Sequence, residues 1–221
     1  MEAVLFDMDG LILDSERVYD RAMAAAGSSL GYVLDECFLK RTRGVNAGLF
    51  AQIIYEEFGD GFPLEEFRSR YKEIIWEIFQ KEGLGVKPGF KELHQYLVKR
   101  KMKYCLATST NRQMTEKLLH IAGIGDIFHS IICGDEVKLG KPHPEIYQKA
   151  AAMLGIMPAE CLVLEDSVNG IKAGYEAGCR VIMIPDLTEP SREIEMLCER
   201  ISRDLLGVID YLENIKEISR C

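Results

Sequence analysis

The 221 residues allow one large domain or a medium domain carrying a smaller insert. Hydrophobic residues at 48% are ample for a packed core, and charged residues at 28% make an ordinary hydrophilic surface. The formal charge of −8 argues against a nucleic-acid surface, which needs clustered Lys and Arg, but leaves room for a small phosphorylated ligand held by a few local cations. No basic leader precedes the first apolar run, and no run is long enough to cross a bilayer, so a cytoplasmic protein without membrane partners is expected. The seven cysteines are odd in number and scattered, with no Cys-x-x-Cys, and the four histidines have no metal-ligand spacing. They read as small buried hydrophobes in a reducing compartment, and zinc is not expected.

Ala3-Val4-Leu5-Phe6 is a short apolar run of the kind that forms a buried strand. Asp7-Met8-Asp9-Gly10-Leu11-Ile12-Leu13-Asp14-Ser15-Glu16 follows directly. Asp7 and Asp9 point the same way while the chain stays extended, and Gly10 permits a sharp turn. In an open α/β sheet, ligands bind outside the carboxyl ends of the strands. Two carboxylates crowded at one strand tip repel each other unless a proton or cation intervenes, and a divalent metal with oxygen ligands resolves that repulsion.

From Ser15 to Ala26 the pattern predicts a helix with Asp14 or Ser15 as N-cap and Gly27 as its stop. Leu49, Phe50, Ile53, Ile54 and Phe58 share one helical face, and Phe67, Tyr71, Ile74 and Ile78 share another. No strand is expected between 15 and 85, which reads as a small helical bundle. Gly83, Gly85, Pro88 and Gly89 then punctuate the chain as a boundary.

Beyond the boundary, strands and helices alternate. Strands are expected from Tyr104 to Ala107, Ile131 to Cys133, Cys161 to Leu164 and Val181 to Ile184. Helices are expected from Arg112 to Ala122, Pro144 to Leu154, after Leu164 to Ala177, Ser191 to Arg200 and Leu206 to Ile218. Such alternation predicts a doubly wound parallel sheet with helices on both faces. The first strand must join that sheet. The expected organisation is therefore an α/β core of 1–14 and 86–221, with 15–85 inserted as a helical domain.

Three further polar clusters fall at strand ends or helix starts. Thr108-Ser109-Thr110-Asn111 precedes a helix and reads either as an anion site or as an N-cap. Lys141 sits in Leu139-Gly140-Lys141-Pro142-His143-Pro144, where two prolines constrain the backbone that carries the ammonium, and His143 reads as a turn or capping residue. Glu165-Asp166 follows Cys161-Leu162-Val163-Leu164, and acids at a buried strand end are costly unless paired or bound to metal. Together these form a coherent set for phosphoryl transfer.

The motifs Asp-x-Asp-Gly-x-x-x-Asp-Ser-Glu, Thr-Ser after the second strand, Gly-Lys-Pro and Glu-Asp-Ser-x-x-Gly resemble the haloacid dehalogenase-like hydrolase superfamily. The resemblance is to its branch of β-phosphoglucomutases and sugar-phosphate phosphatases, and it covers essentially the whole chain. It implies a Rossmann-like core with an α-helical cap, and a Mg²⁺-dependent phosphatase acting on a small phosphorylated metabolite as a monomer or weak homo-oligomer. Asp7 is then the nucleophile that forms an aspartyl-phosphate, and Asp9 the general acid and base. Thr108, with Ser109, Thr110 and Asn111 nearby, holds the phosphoryl oxygens, and Lys141 offsets the charge of nucleophile and phosphate. Asp166, with Glu165, holds the metal together with Asp7 and the backbone carbonyl of Asp9. An aspartate at position 9 sets aside carbon–halogen and carbon–phosphorus cleavage.

A mutase of this branch carries a cap His, Arg and Lys where this chain aligns Tyr19, Ala47 and Trp76, which favours a phosphatase over a β-phosphoglucomutase-type mutase. Arg41, Arg43 and Asn46 lie in the same cap loop; Arg41 and Arg43 read as a solvated helix end, where cations complement the dipole, and the alternative is that Arg43 replaces the missing cation. Trp76 reads as packing or as a lid. A non-catalytic phosphate-binding or phosphoryl-accepting regulator is the alternative of a different class.

Overall fold

A computed structural model describes residues 1–43, 45 and 47–218; Asn46 and Cys221 lie outside the described residues, as does the side chain of Ala47. The chain forms two compact units, Met1–Asp14 with Leu84–Cys221, and Ser15–Gly83.

The unit Ser15–Gly83 is helical: α1 Glu16–Ser29, α2 Glu36–Thr42, α3 Ala47–Phe58 and α4 Leu64–Glu82. Its core gathers Leu34, Phe38, Ile54, Phe62 and Phe67, so the face expected on α3 is buried at Ile53 and Ile54, while Leu49 is exposed. Gly27 does not stop α1, which runs on to Ser29. The glycine serves a close approach instead, because a Cβ there would overlap Leu34 Cδ1; the left-handed turn comes later, at Gly31 (φ +83°). Ser15 takes the N-cap position but makes no side-chain cap bond.

The other unit holds a parallel sheet of six strands in the order β3-β2-β1-β4-β5-β6. These are β1 Ala3–Phe6, β2 Lys103–Ala107, β3 Ile131–Ile132, β4 Cys161–Glu165, β5 Arg180–Met183 and β6 Arg200–Ile201. Its helices are α5 Phe90–Lys99, α6 Arg112–Ile121, α7 Glu145–Leu154, α8 Val168–Glu176, α9 Arg192–Glu195 and α10 Leu206–Ile218.

β1 is wholly buried, and its side chains divide with period two. Ala3 and Leu5 join Cys105, Cys161, Val163, Val181, Tyr147 of α7 and Ile171 of α8 in one cluster. Phe6 instead meets Phe90 of α5 and Phe128 edge-on, with centroids 5.9 and 5.8 Å away. Burying a side chain of this kind is worth roughly 1.5–3 kcal/mol, so both sheet faces are driven closed by apolar surface.

The stretch expected as one helix from Ser191 to Arg200 is divided. After the single turn of α9, Glu199 N donates to Val181 O at 2.8 Å, and Arg200 and Ile201 pair with β5 as the edge strand β6. Two residues are too few to show a strand period, and an edge pairing overrides the helical pattern.

Candidate functional site

Register builds the site. Phe6 lies between Leu106 of β2 and Leu164 of β4, so the next residue on each strand brings Asp7, Ala107 and Glu165 side by side. Asp7 N donates to Leu164 O at 3.1 Å, which extends the ladder by one rung. Asp7 and Glu165 share the parity of Leu5 and Val163, so they point to the side on which Tyr147 packs.

Lys141, just ahead of α7, supplies the cation. Its Nζ donates to Asp7 Oδ1 at 2.5 Å, Glu165 Oε1 at 2.7 Å and the Ala107 carbonyl at 3.0 Å, which accounts for all three ammonium hydrogens. The side chain is 5% exposed. The loop that delivers it is clasped by Glu145, whose carboxylate accepts from Lys138 N and Leu139 N. The Lys149 ammonium, then those two amides, hold the Glu145 carboxyl down at about 2. His143 Nδ1 accepts from Glu145 N at 3.3 Å, a turn role as expected.

Glu165 is fully buried, and five donors converge on it. Lys141 and the Tyr147 hydroxyl, each at 2.7 Å, reach Oε1; Asp166 N, Ser167 N and Ser167 Oγ reach Oε2 at 3.1, 3.1 and 2.9 Å. One ligand oxygen each from Asp7, Glu165 and Asp166 lie within 4.8 Å of one another. Burial pushes the Asp7 carboxyl well above the usual range; Lys141 opposes that, while the charges of Glu165 and Asp9 add to it. Three buried carboxylates against one ammonium leave negative charge that a divalent ion would balance, and an all-oxygen donor set suits Mg²⁺.

After Asp7 the chain turns at Gly10 (φ +78°), with Ile12 N and Leu13 N both donating to Met8 O. Asp9 is thereby delivered to a different partner from Asp7: Thr110 Oγ1 donates to Asp9 Oδ2 at 2.8 Å. The Thr108–Asn111 cluster is divided in its duties. Thr108 is buried and its Oγ1 accepts from Thr110 N at 3.1 Å, and Ser109 is exposed. Asn111 is the N-cap of α6, its Oδ1 accepting from Met114 N at 3.0 Å, so its side-chain oxygen is spent on the cap.

Sequence reasoning gave no role to Tyr147, Ser167 or Gly170, all of which touch or border Glu165. Ser167 and Gly170 stand inside the Glu-Asp-Ser-x-x-Gly motif, but Tyr147 carries only the signal of an apolar helix face.

The helical unit has a cavity of its own, about 810 Å³, lined among others by Tyr19, Asp20, Arg43, Phe67, Tyr71 and Lys72. Arg43 is not the solvated helix end expected of it: its Nε donates to Asp20 Oδ2 at 3.1 Å and its second guanidinium arm to the same oxygen, both side chains being mostly buried. Arg41 makes an exposed pair with Glu57 at 2.7 Å. Trp76 packs edge-on against Phe79, with centroids 6.0 Å apart.

The sequence profile of the haloacid dehalogenase-like hydrolases matches residues 1–178, and the chain belongs to that family of hydrolases. Among its relatives, a phosphorylated carbohydrates phosphatase of Thermotoga maritima is 34% identical over 178 residues, covering 80% of this chain and 82% of the relative. Hexitol phosphatase B of Escherichia coli is 30% identical, covering 93% of this chain and 96% of the relative. A Thermotoga maritima structure provisionally described as a β-phosphoglucomutase superposes with a TM-score of 0.81 at 28% identity, covering 97% of this chain and all of that one. Family membership sets aside the non-catalytic regulator. Among the described residues, no helix is long and apolar enough to cross a membrane.

Proposed function

We propose that this hydrolase is a Mg²⁺-dependent phosphatase that cleaves small phosphate monoesters, sugar phosphates foremost, through an aspartyl-phosphate on Asp7. The observation that carries the reading is the Lys141 ammonium held between Asp7 and Glu165 at the carboxyl ends of adjacent strands. The named phosphatases among the relatives support it. Residues 1–14 and 86–221 act as the catalytic core, and 15–85 as the cap.

Asp7 attacks phosphorus as the ester oxygen departs. Asp9, oriented by the Thr110 hydroxyl, gives its proton to that leaving oxygen and then takes one from the water that hydrolyses the intermediate. Using one acid twice is what the covalent route makes possible. Lys141 offsets the anion–anion repulsion between Asp7 and the incoming phosphate, and Thr108 with the Ser109 backbone binds the phosphoryl oxygens. Asn111 caps α6 through its Oδ1, so of its side chain only the amide nitrogen is a donor for a phosphoryl oxygen. Asp7, Asp166 and the Asp9 carbonyl are the groups that would hold Mg²⁺, with Glu165 nearby but its oxygens already accepting from five donors; the ion would supply charge neutralisation when bound.

The test is steady-state phosphate release with Mg²⁺ from a panel of sugar and alcohol phosphates. Turnover of several members supports the reading, and no release from any of them contradicts it.

The likeness to the β-phosphoglucomutase structure favours a second reading, a phosphosugar mutase. Against it stands Arg43, whose Nε and Nη2 are engaged by Asp20, so those two groups would have to leave that pair to hold a second phosphate. A coupled assay with glucose-6-phosphate dehydrogenase separates the two: isomerisation of β-glucose 1-phosphate faster than phosphate release establishes the mutase.

A further inference from the structure

We propose that Tyr147 is a positioning residue for Lys141, resting on the phosphatase reading above for its catalytic consequence but not for its geometry. Tyr147 is wholly buried in the apolar cluster beneath the sheet, and a phenylalanine would fill that volume equally well. What phenylalanine lacks is the hydroxyl. That group donates to Glu165 Oε1 at 2.7 Å, the same oxygen that Lys141 reaches at 2.7 Å. The ring meanwhile carries the ammonium over its face, with Nζ 4.9 Å from the centroid.

The two contacts act together on one cation. A carboxylate oxygen can only accept, so in this contact the phenol hydroxyl donates. By donating it takes up charge on Oε1 that would otherwise draw Lys141 wholly to Glu165. The ammonium is left shared, with one hydrogen aimed at Asp7 Oδ1 at 2.5 Å. Without the hydroxyl, Lys141 shifts toward Glu165 and Asp7 loses part of its compensation.

The catalytic arm is a double-mutant cycle in steady-state turnover of p-nitrophenyl phosphate with Mg²⁺. Tyr147→Phe lowers kcat by roughly ten- to a hundredfold, the loss expected for one hydrogen bond to a charged group, with KM changed by less than about threefold. In a Lys141→Met background the same change costs less than about threefold, because its effect runs through the ammonium. Tyr147→Leu, which removes the ring as well, is more impaired than Tyr147→Phe. The structural arm is a crystal structure of metal-free Tyr147→Phe, in which Nζ remains on Glu165 but leaves hydrogen-bonding distance of Asp7. An equal kcat loss in both backgrounds, or an Nζ–Asp7 contact unmoved by the substitution, overturns the assignment. If wild-type protein turns over no ester at all, the phosphatase reading fails, and the structural arm still decides the role of Tyr147.

Discussion

Replacing Gly170 by Ala sets two effects of opposite sign against each other. Gly170 lies in the first turns of α8, and in a helix interior Ala is favoured over Gly by about 1 kcal/mol. An open site would therefore be stabilised. Here a Cβ would overlap the Glu165 carboxylate, meeting Oε1, Cδ and Oε2 well inside van der Waals contact. A side-chain end is ordinarily free to swing aside, but this one is fully buried and fixed by five donors, one of them the buried Lys141. Removing one partner of a buried ion pair costs about 3–5 kcal/mol, so the net expectation is a destabilisation of roughly 2–4 kcal/mol. At about 2–4 °C per kcal/mol for a chain of this size, the melt followed by far-UV circular dichroism should fall by about 4–16 °C. Phosphate release should fall with it, because Lys141 loses an anchor. A Gly170→Ala variant that melts at or above the wild-type temperature with full activity refutes the reasoning, since it would mean that Glu165 moves without consequence.

Three further outcomes are expected. A Cβ at Gly134 would overlap the Ser109 carbonyl, a backbone atom that cannot swing aside, so Gly134→Ala displaces the turn that carries Thr110; kcat/KM for phosphate release should drop roughly tenfold or more, given that positioned proton transfer contributes about 10²–10⁴, and an unchanged value contradicts the Thr110–Asp9 role. The Glu145 carboxyl is held down at about 2 against an ordinary 4.5, so its clasp on the Lys141 loop is fully present above the ordinary value and is lost only as pH falls through about 2. Hydrogen exchange at Lys138 N and Leu139 N should accordingly be slow across neutral pH and faster in Glu145→Gln; equal protection in the variant shows that the clasp does not hold the loop. EDTA should silence phosphate release and Mg²⁺ restore it, whereas activity that survives chelation and dialysis contradicts the proposed metal set around Asp7 and Asp166.

The sheet is legible in the sequence because its longer strands are compact apolar runs, and in β1, β2 and β4 the polar residue at the carboxyl end also marks where the site lies. Asp7, Lys141 and Glu165 were legible as chemistry because acids and a constrained lysine at strand ends and turns have few structural uses. The placing of Asp7 beside Glu165 follows from strand register, and Lys141 reaches both from the loop ahead of α7; no single run of residues encodes either. Tyr147 stayed hidden since its ring satisfies the apolar pattern of α7 and only its hydroxyl does more. β6 was hidden for a different reason: an edge pair of two residues owes its conformation to the neighbouring strand rather than to its own pattern. Gly27 shows how one residue type serves two ends, because a glycine required for close approach to Leu34 reads in sequence like a helix stop.

The central claim is that Asp7 is the nucleophile, and it is tested most directly by phosphate release from Asp7→Asn set beside the wild-type protein, with Mg²⁺ and a substrate that the wild type turns over. The amide keeps nearly the shape of the carboxylate but cannot attack phosphorus, so folded Asp7→Asn should release no phosphate above background. A folded Asp7→Asn variant that retains most of the wild-type rate contradicts the account.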